Sequence, residues 1–211
     1  MEEDVTGANK ASRDGWIFFV VGFIVALIIG WLVYPALLYS ERSQPLHFSH
    51  ASHGPDSSAG MECEECHYFY EDGTFSGIPG LTKCMECHED PEFPLSEDPQ
   101  EIKLLTEYVK PGKEIPWLVY SRQPDCVYFP HIAHVRMADI ACTVCHGDFG
   151  TRDAPPVYKV NRISRYSIDI WGRNISGHKK NPWDSMKMDD CADCHRERGK
   201  ERNNACFVCH K

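Results

Sequence analysis

The chain has 211 residues, a formal net charge of −9, and eleven cysteines matched by eleven histidines. That length allows one globular domain plus an appendage, and the acidic balance excludes a nucleic-acid binder, which needs basic patches to neutralise phosphates. Hydropathy is low overall and most apolar residues sit in one N-terminal run, so the remainder is too polar for an ordinary core of its size.

From Gly15 to Ser40 no charged residue occurs. A run of this length crosses a bilayer as a helix, for which about 20 residues suffice. Trp16 near one end and Trp31, Tyr34 and Tyr39 near the other suit the two interfaces. A cleaved signal peptide has a shorter apolar stretch and a small-x-small cleavage site. The reading is an uncleaved signal-anchor helix over residues 15–39, preceded by a cytoplasmic tail (1–14). Gly22, Ala26 and Gly30 recur at four-residue steps, which lets a neighbouring membrane helix approach closely. Lys10 and Arg13 before the run, against Arg42 after it, orient it only weakly.

Beyond the anchor, Cys-x-x-Cys-His recurs five times: Cys63/Cys66/His67, Cys84/Cys87/His88, Cys142/Cys145/His146, Cys191/Cys194/His195 and Cys206/Cys209/His210. Two thiols so spaced can each form a thioether to one vinyl group of the same porphyrin, and the histidine that follows becomes the proximal iron ligand. Zinc ribbons and thiol–disulfide pairs also use Cys-x-x-Cys, but neither needs a histidine after the second cysteine every time. The motifs predict haem c, five copies, with short helices carrying several of the attachment sites. The large apolar discs of the haems make good the deficit of apolar side chains. Such haem is attached outside the bacterial cytoplasm, which puts residues 40–211 in the periplasm and the anchor as a single pass in the inner membrane.

The remaining histidines are His47, His50, His53, His131, His134 and His178. Two pairs share a pattern, Phe48-Ser-His50-Ala-Ser-His53 and Phe129-Pro-His131-Ile-Ala-His134, each shortly before a haem motif. Five irons need five distal ligands for bis-histidine coordination, and His50, His53, His131, His134 and His178 supply that number. A His-x-x-His turn wedged between two haems can send one ring to each. Met61, Met85, Met137, Met186 and Met188 are the competing axial ligands, and any of them would raise a haem's potential. Cys126 has two readings: a small buried hydrophobe, or the single thioether of a sixth haem with His47 as a ligand.

The rest of the chain reads as short helices and loops. Gly73, Gly77, Pro79 and Gly80 mark turns between the first two motifs, and a short helix is predicted around Asp98 to Val109, before Pro111-Gly112. Charge is uneven. Between Glu62 and Glu101 twelve acidic residues meet one base, Lys83, whereas from Thr151 to Lys211 thirteen bases (Arg162, Arg165 and Arg173 among them) meet eight acids. The acidic part is either a solvated face or a docking face for a basic soluble cytochrome c. The expected fold is a single transmembrane helix plus a mainly α and irregular multihaem domain, haem-filled and with little sheet.

The anchor, the Phe-x-His-x-x-His pairs and the repeated motif resemble class III-type multihaem cytochromes. The stretch Ile115-Pro116-Trp117 through Pro124-Asp125-Cys126-Val127-Tyr128-Phe129-Pro130-His131-Ile132-Ala133-His134-Val135 is similar to the pentahaem cytochrome subunit of alternative complex III. It also resembles the related cytochrome subunit of the periplasmic menaquinone reductase complex of sulfate-reducing bacteria. The resemblance covers nearly the whole chain, and the menaquinone reductase subunit is the favoured match. It implies an iron-sulfur subunit, a molybdopterin-oxidoreductase-like subunit, a polytopic quinone-binding membrane subunit, and a basic class III cytochrome as electron donor in sulfate respiration. The family cytochrome is usually counted as hexahaem, whereas five full motifs stand here, so the count reads five or six and Cys126 gains weight. The competing functions are a quinol-oxidising alternative complex III subunit, a NapC/NrfH-type quinol dehydrogenase, an open-site haem reductase and a haem sensor. No residue reads as a catalytic acid, base or nucleophile, so chemistry on the quinone is assigned to another subunit.

Overall fold

The computed structural model describes residues 5–163, 165 and 186–210. The chain falls into two compact units, Met1–Ser40 with Val160–Arg165, and Glu41–Lys159 with Tyr166–Lys211.

In the first unit helix α1 runs Val5–Ile28, starting ten residues before the uncharged run. It widens into a π turn over Ile29–Val33, where Tyr34 N–H donates to Ile29 O, and resumes as α2, Tyr34–Leu38. Pro35 explains the widening: it has no N–H to give and its ring would strike the carbonyl four residues back. The 19 residues Gly15–Val33 have a mean hydropathy of 2.8 and none is buried. At 1.5 Å per residue they span about 28 Å, close to the thickness of a bilayer's hydrocarbon core. This is one helix long and apolar enough to cross a membrane. A Cβ placed at Gly15, Gly22 or Gly30 would meet nothing within 4 Å. Among the described residues the only sheet has two strands, β1 (Tyr39–Arg42) and β2 (Tyr158–Asn161).

The second unit is built from short helices, most of a single turn, joined by loops: α3 (His50–His53), α4 (Cys63–Cys66), α5 (Leu81–Cys84), α6 (Pro99–Leu104), α7 (His131–Val135), α8 (Cys142–His146), α9 (Met188–Glu197) and α10 (Cys206–Cys209). So little regular structure fits a chain whose interior is to be shared with a prosthetic group. The predicted helix near 98–109 is α6, begun by Asp98, whose carboxylate accepts Gln100 N–H at 2.7 Å, and extended by a π turn, Leu105–Val109. This element anchors the conventional core of the unit, Leu46, Leu81, Leu105, Tyr108, Val109 and Ile115, with Cys84, Met85, Leu104 and Trp117 against it. The cluster therefore grips α5 and the second haem motif directly. Leu81 N–H also donates to Glu114 Oε2 at 2.9 Å.

One glycine is required in this unit. Gly73 has φ of +83° and lies so close to Ile132 that a Cβ would approach its Cδ1 to 2.6 Å. It closes a tight turn in which Tyr70 N–H donates to Thr74 O at 2.8 Å and Phe69 bridges Phe75. That turn lays the Phe75 ring on His131, centroids 4.1 Å apart.

Candidate haem sites

Four of the five attachment motifs carry both cysteines inside one helix, on α4, α8, α9 and α10. Two cysteines three residues apart on such a turn project about 60° apart, on one face, where both can reach one porphyrin edge. Reciprocal capping by Glu62 and Glu65 starts α4, and Glu62 N–H reaches Glu65 Oε1 at 2.9 Å.

The second motif departs from the expected placement on a helix. There α5 ends at Cys84, and Cys87 lies beyond it, exposed, in the turn that follows. The reason is where α5 begins. Glu114 fixes its first N–H at Leu81, so its one turn is complete as the motif starts. Cys87 is instead held by its own N–H, which donates to Cys84 O at 3.3 Å. That bond, from a residue to the carbonyl three before it, keeps the chain coiled and the two cysteines close. In three motifs the histidine bonds back to the first cysteine in the same way: His67 N–H to Cys63 O (2.8 Å), His88 N–H to Cys84 O (2.9 Å) and His210 N–H to Cys206 O (2.9 Å). The second motif thus ends as the first and fifth do, despite its displaced Cys87.

The two His-x-x-His turns face the motif histidines. His53 lies opposite His88 with ring centroids 6.2 Å apart, His131 opposite His146 at 6.5 Å, and His134 opposite His195 at 6.1 Å. These rings are too far apart for contact. A metal–imidazole bond of about 2 Å and a ring radius of roughly 1 Å, each taken twice, give about 6 Å for two imidazoles on opposite sides of one metal. The spacing thus fits an iron between each pair. His50 completes the pattern, since of all charged groups His67 bears most on it. Each turn therefore serves two motifs: α3 serves the first and second, α7 the third and fourth.

The two turns are near copies. Phe48 stands edge-on to His50 (4.9 Å, 87°) and stacks on His53 (4.5 Å, 25°), while Phe129 stands edge-on to His131 (4.8 Å, 87°) and stacks on His134 (4.4 Å, 24°). His53 Nδ1–H donates to Ser49 O at 2.8 Å and His134 Nδ1–H to Pro130 O at 3.0 Å. Because these acceptors can only accept, the proton is on Nδ1 and Nε2 is bare for a metal. The motif histidines are oriented likewise: His67 by Gly77 O (2.6 Å), His195 by Asn204 Oδ1 (2.8 Å), and His88 by Glu101 Oε1 (3.2 Å). His50 Nδ1 is buried without a partner. The sequence reading did not foresee these second partners. Glu101 was grouped with the exposed acids, yet its side chain is only 8% exposed; the signal that could have found it is its place three residues after the helix-capping Asp98.

Electrostatics keep the ligand groups neutral. Burial first, then His67 and His53, lowers the His50 imidazole to about 4; burial, then His146, His134 and His67, lowers His131 to about 4. Burial and His67 lower His146. Neutral imidazole is the form that binds metal. Burial raises the thiols of Cys66, Cys84, Cys142 and Cys145 and pushes Cys191 up to about 11. Zinc takes thiolates, and among the described residues no three His, Cys, Asp or Glu side chains converge as a zinc site needs.

Neighbouring thiols give the motifs an order in space. Cys84 interacts with Cys66, Cys142 hydrogen-bonds with Cys63, Cys145 interacts with Cys194, and Cys191 interacts with Cys145 and Cys209. The sequence is second, first, third, fourth, fifth. Cys126 is exposed and lies beside the fifth motif, where Val127 bridges His210 and Tyr128 N–H donates to Cys209 O at 2.7 Å. The buried-hydrophobe reading of Cys126 therefore does not hold. His47 instead gives its backbone N–H to Gln100 Oε1 at 2.9 Å, on α6 and so on the second motif's side of the core. Met85 packs against the core, whereas Met137 and Met188 are exposed. His178 lies outside the described residues, as do Trp171 and Arg173.

Repeated attachment turns, each with a histidine closing it and most with a second imidazole across a metal-sized gap, define a multihaem cytochrome c, whose cofactor is haem c. Residues 127–211 match the family described as cytochrome c7 and related cytochrome c. The chain is also 39% identical to the menaquinone reductase multihaem cytochrome c subunit of Nitratidesulfovibrio vulgaris (strain Hildenborough), over 99% of this chain and 96% of that protein. It belongs to the family of multihaem cytochrome c subunits of menaquinone reductase.

Proposed function

We propose that the chain is a membrane-anchored, periplasmic electron conductor. It carries electrons between a basic soluble class III cytochrome c and the iron-sulfur, molybdopterin-oxidoreductase-like and polytopic quinone-binding subunits of a menaquinone reductase. The observation that carries this reading is that one His-x-x-His turn faces two different motif histidines, twice over. Paired ligands on a shared turn hold successive irons at a fixed, short separation, as conduction requires, and leave no open position for a substrate.

Five haems are attached at the five Cys-x-x-Cys-His motifs, Cys84 and Cys87 included, with His67, His88, His146, His195 and His210 as proximal ligands. His50, His53, His131 and His134 are distal ligands to the first, second, third and fourth motifs. By count, His178 is left for the fifth. The haem supplies the one-electron chemistry; the chain orients the imidazoles, keeps them neutral and shields them from water. The all-round apolar, unburied helix Gly15–Val33 supports an anchor over residues 15–39, with residues 1–14 cytoplasmic and 40–211 periplasmic.

The test is purification of the chain from native membranes, with identification of the subunits that accompany it and stopped-flow mixing with a reduced basic cytochrome c. Haem reduction followed by menaquinone reduction is expected. Purification without a polytopic membrane subunit would overturn the assignment.

A further inference from the structure

We infer that Glu101 tunes the haem of the second motif and gives it the lowest reduction potential in the chain. The inference rests on the haem-wire reading above. Of the five histidines whose Nδ1–H is bonded among the described residues, four donate to neutral oxygens: Ser49 O, Gly77 O, Pro130 O and Asn204 Oδ1. His88 donates to a carboxylate, at 3.2 Å.

That carboxylate is held for the purpose. Glu101 Oε1 also accepts Leu95 N–H at 2.6 Å, and Oε2 accepts the Ser96 hydroxyl at 2.5 Å. The side chain is 8% exposed and that of His88 20%, so solvent screens the pair weakly. An anionic acceptor draws the Nδ1 proton and makes the imidazole a stronger donor through Nε2. A more basic axial ligand favours ferric over ferrous iron. The negative charge itself opposes an added electron, so both effects lower the potential. The haem so tuned is at one end of the spatial order of motifs. An electron arriving there passes to its neighbours downhill, which suits the second motif as the entry point.

The test uses the full haem-loaded chain carrying Glu101→Gln, which keeps the shape and the hydrogen-bond acceptor but removes the charge. In a potentiometric titration followed by visible absorbance, one haem should become easier to reduce by about tenfold in its equilibrium constant, about 59 mV for a one-electron couple, with the other haems unmoved. The same variant should alter the paramagnetic resonance signature of one low-spin centre. No shift in a variant with full covalent haem content would overturn the inference. Should the variant fail to load haem, a Cys84→Ser/Cys87→Ser chain gives a second reading: the lowest-potential wave should vanish, and loss of any other wave overturns the inference. A parent chain whose mass lacks haem at the second motif would instead sink the haem-wire reading beneath it.

Discussion

Removing single distal histidines offers the sharpest test of the ligand assignment. His131 and His134 lie on one helical turn, yet face His146 and His195 across 6.5 and 6.1 Å. Their irons are therefore different. His131→Ala should strip the distal ligand from the third haem alone, and His134→Ala from the fourth alone. The neighbouring Phe129 ring, stacked 4.4 Å from His134, cannot replace it as a ligand. With five motifs in the chain, each single variant should convert one haem in five from low to high spin, and the double variant two in five.

Electron paramagnetic resonance counts the low-spin centres, and titration of the ferrous protein with carbon monoxide counts the open positions. One carbon monoxide should bind to each single variant and two to the double. Covalent haem content, read by mass spectrometry, should not change, because the thioethers are untouched. Independent irons predict additivity. A double variant that opens no more positions than either single one, or a single variant that opens two, would refute the one-ring-one-iron assignment.

Leu105 is 1% exposed at the centre of the cluster that grips α5, so Leu105→Ala should cost about 3 kcal/mol of stability; chemical denaturation measures it, and a loss below roughly 1 kcal/mol would mean that haem rather than this cluster organises the region. Glu86, Glu89 and Glu92 are exposed beside the second motif. Their joint replacement by lysine should slow reduction by a basic cytochrome c tenfold or more at low ionic strength, with the difference fading as salt is added; equal rates at low salt count against docking there. Cys126→Ser should leave the haem count by mass at that of the parent, while loss of one haem would show a thioether at Cys126. Removal of residues 1–39 should release the chain from membranes to the soluble fraction, and continued sedimentation with vesicles would show a second membrane contact.

Much of the fold was legible because its signals are local. The uncharged run gave a long apolar helix, Asp98-Pro99 gave the start of α6, and Cys-x-x-Cys-His gave the cofactor class. What stayed hidden depends on tertiary placement. The repeat announced two histidine turns, but the spacing of His50 and His53 does not say which motif each ring faces. Five identical spacings likewise give no sign that Cys87 falls outside its helix, because Glu114, 33 residues from Leu81, sets where α5 begins. The π turn at Ile29–Val33 follows from Pro35, yet a proline in an apolar run predicts only a kink. The start of α1 at Val5 was missed because the charged residues before Gly15 read as a tail. Glu101 was misjudged for a related reason: among twelve acids in a stretch of forty residues, nothing in composition marks the one turned inward to His88. Phe75 too reaches His131 only because a turn with Gly73 at its corner folds it back.

The near identity of the two histidine turns bears on how such a chain keeps its irons spaced. The ring distances and angles around Phe48 and Phe129 agree within about 0.1 Å and 1° although the surroundings differ: Ser49 caps one turn through its hydroxyl, whereas Pro130 precedes the other. The interval from the second histidine to the next motif differs as well, His53 to Cys63 against His134 to Cys142. A geometry that persists through those changes is set by the turn itself, by the helical offset of about 60° between positions three apart and by the aromatic ring lodged against both imidazoles. Spacing between successive irons is thus fixed within six residues. The connecting loops need only deliver each attachment turn to its waiting ring, which is why a domain with so small a side-chain core can still hold several redox centres in register.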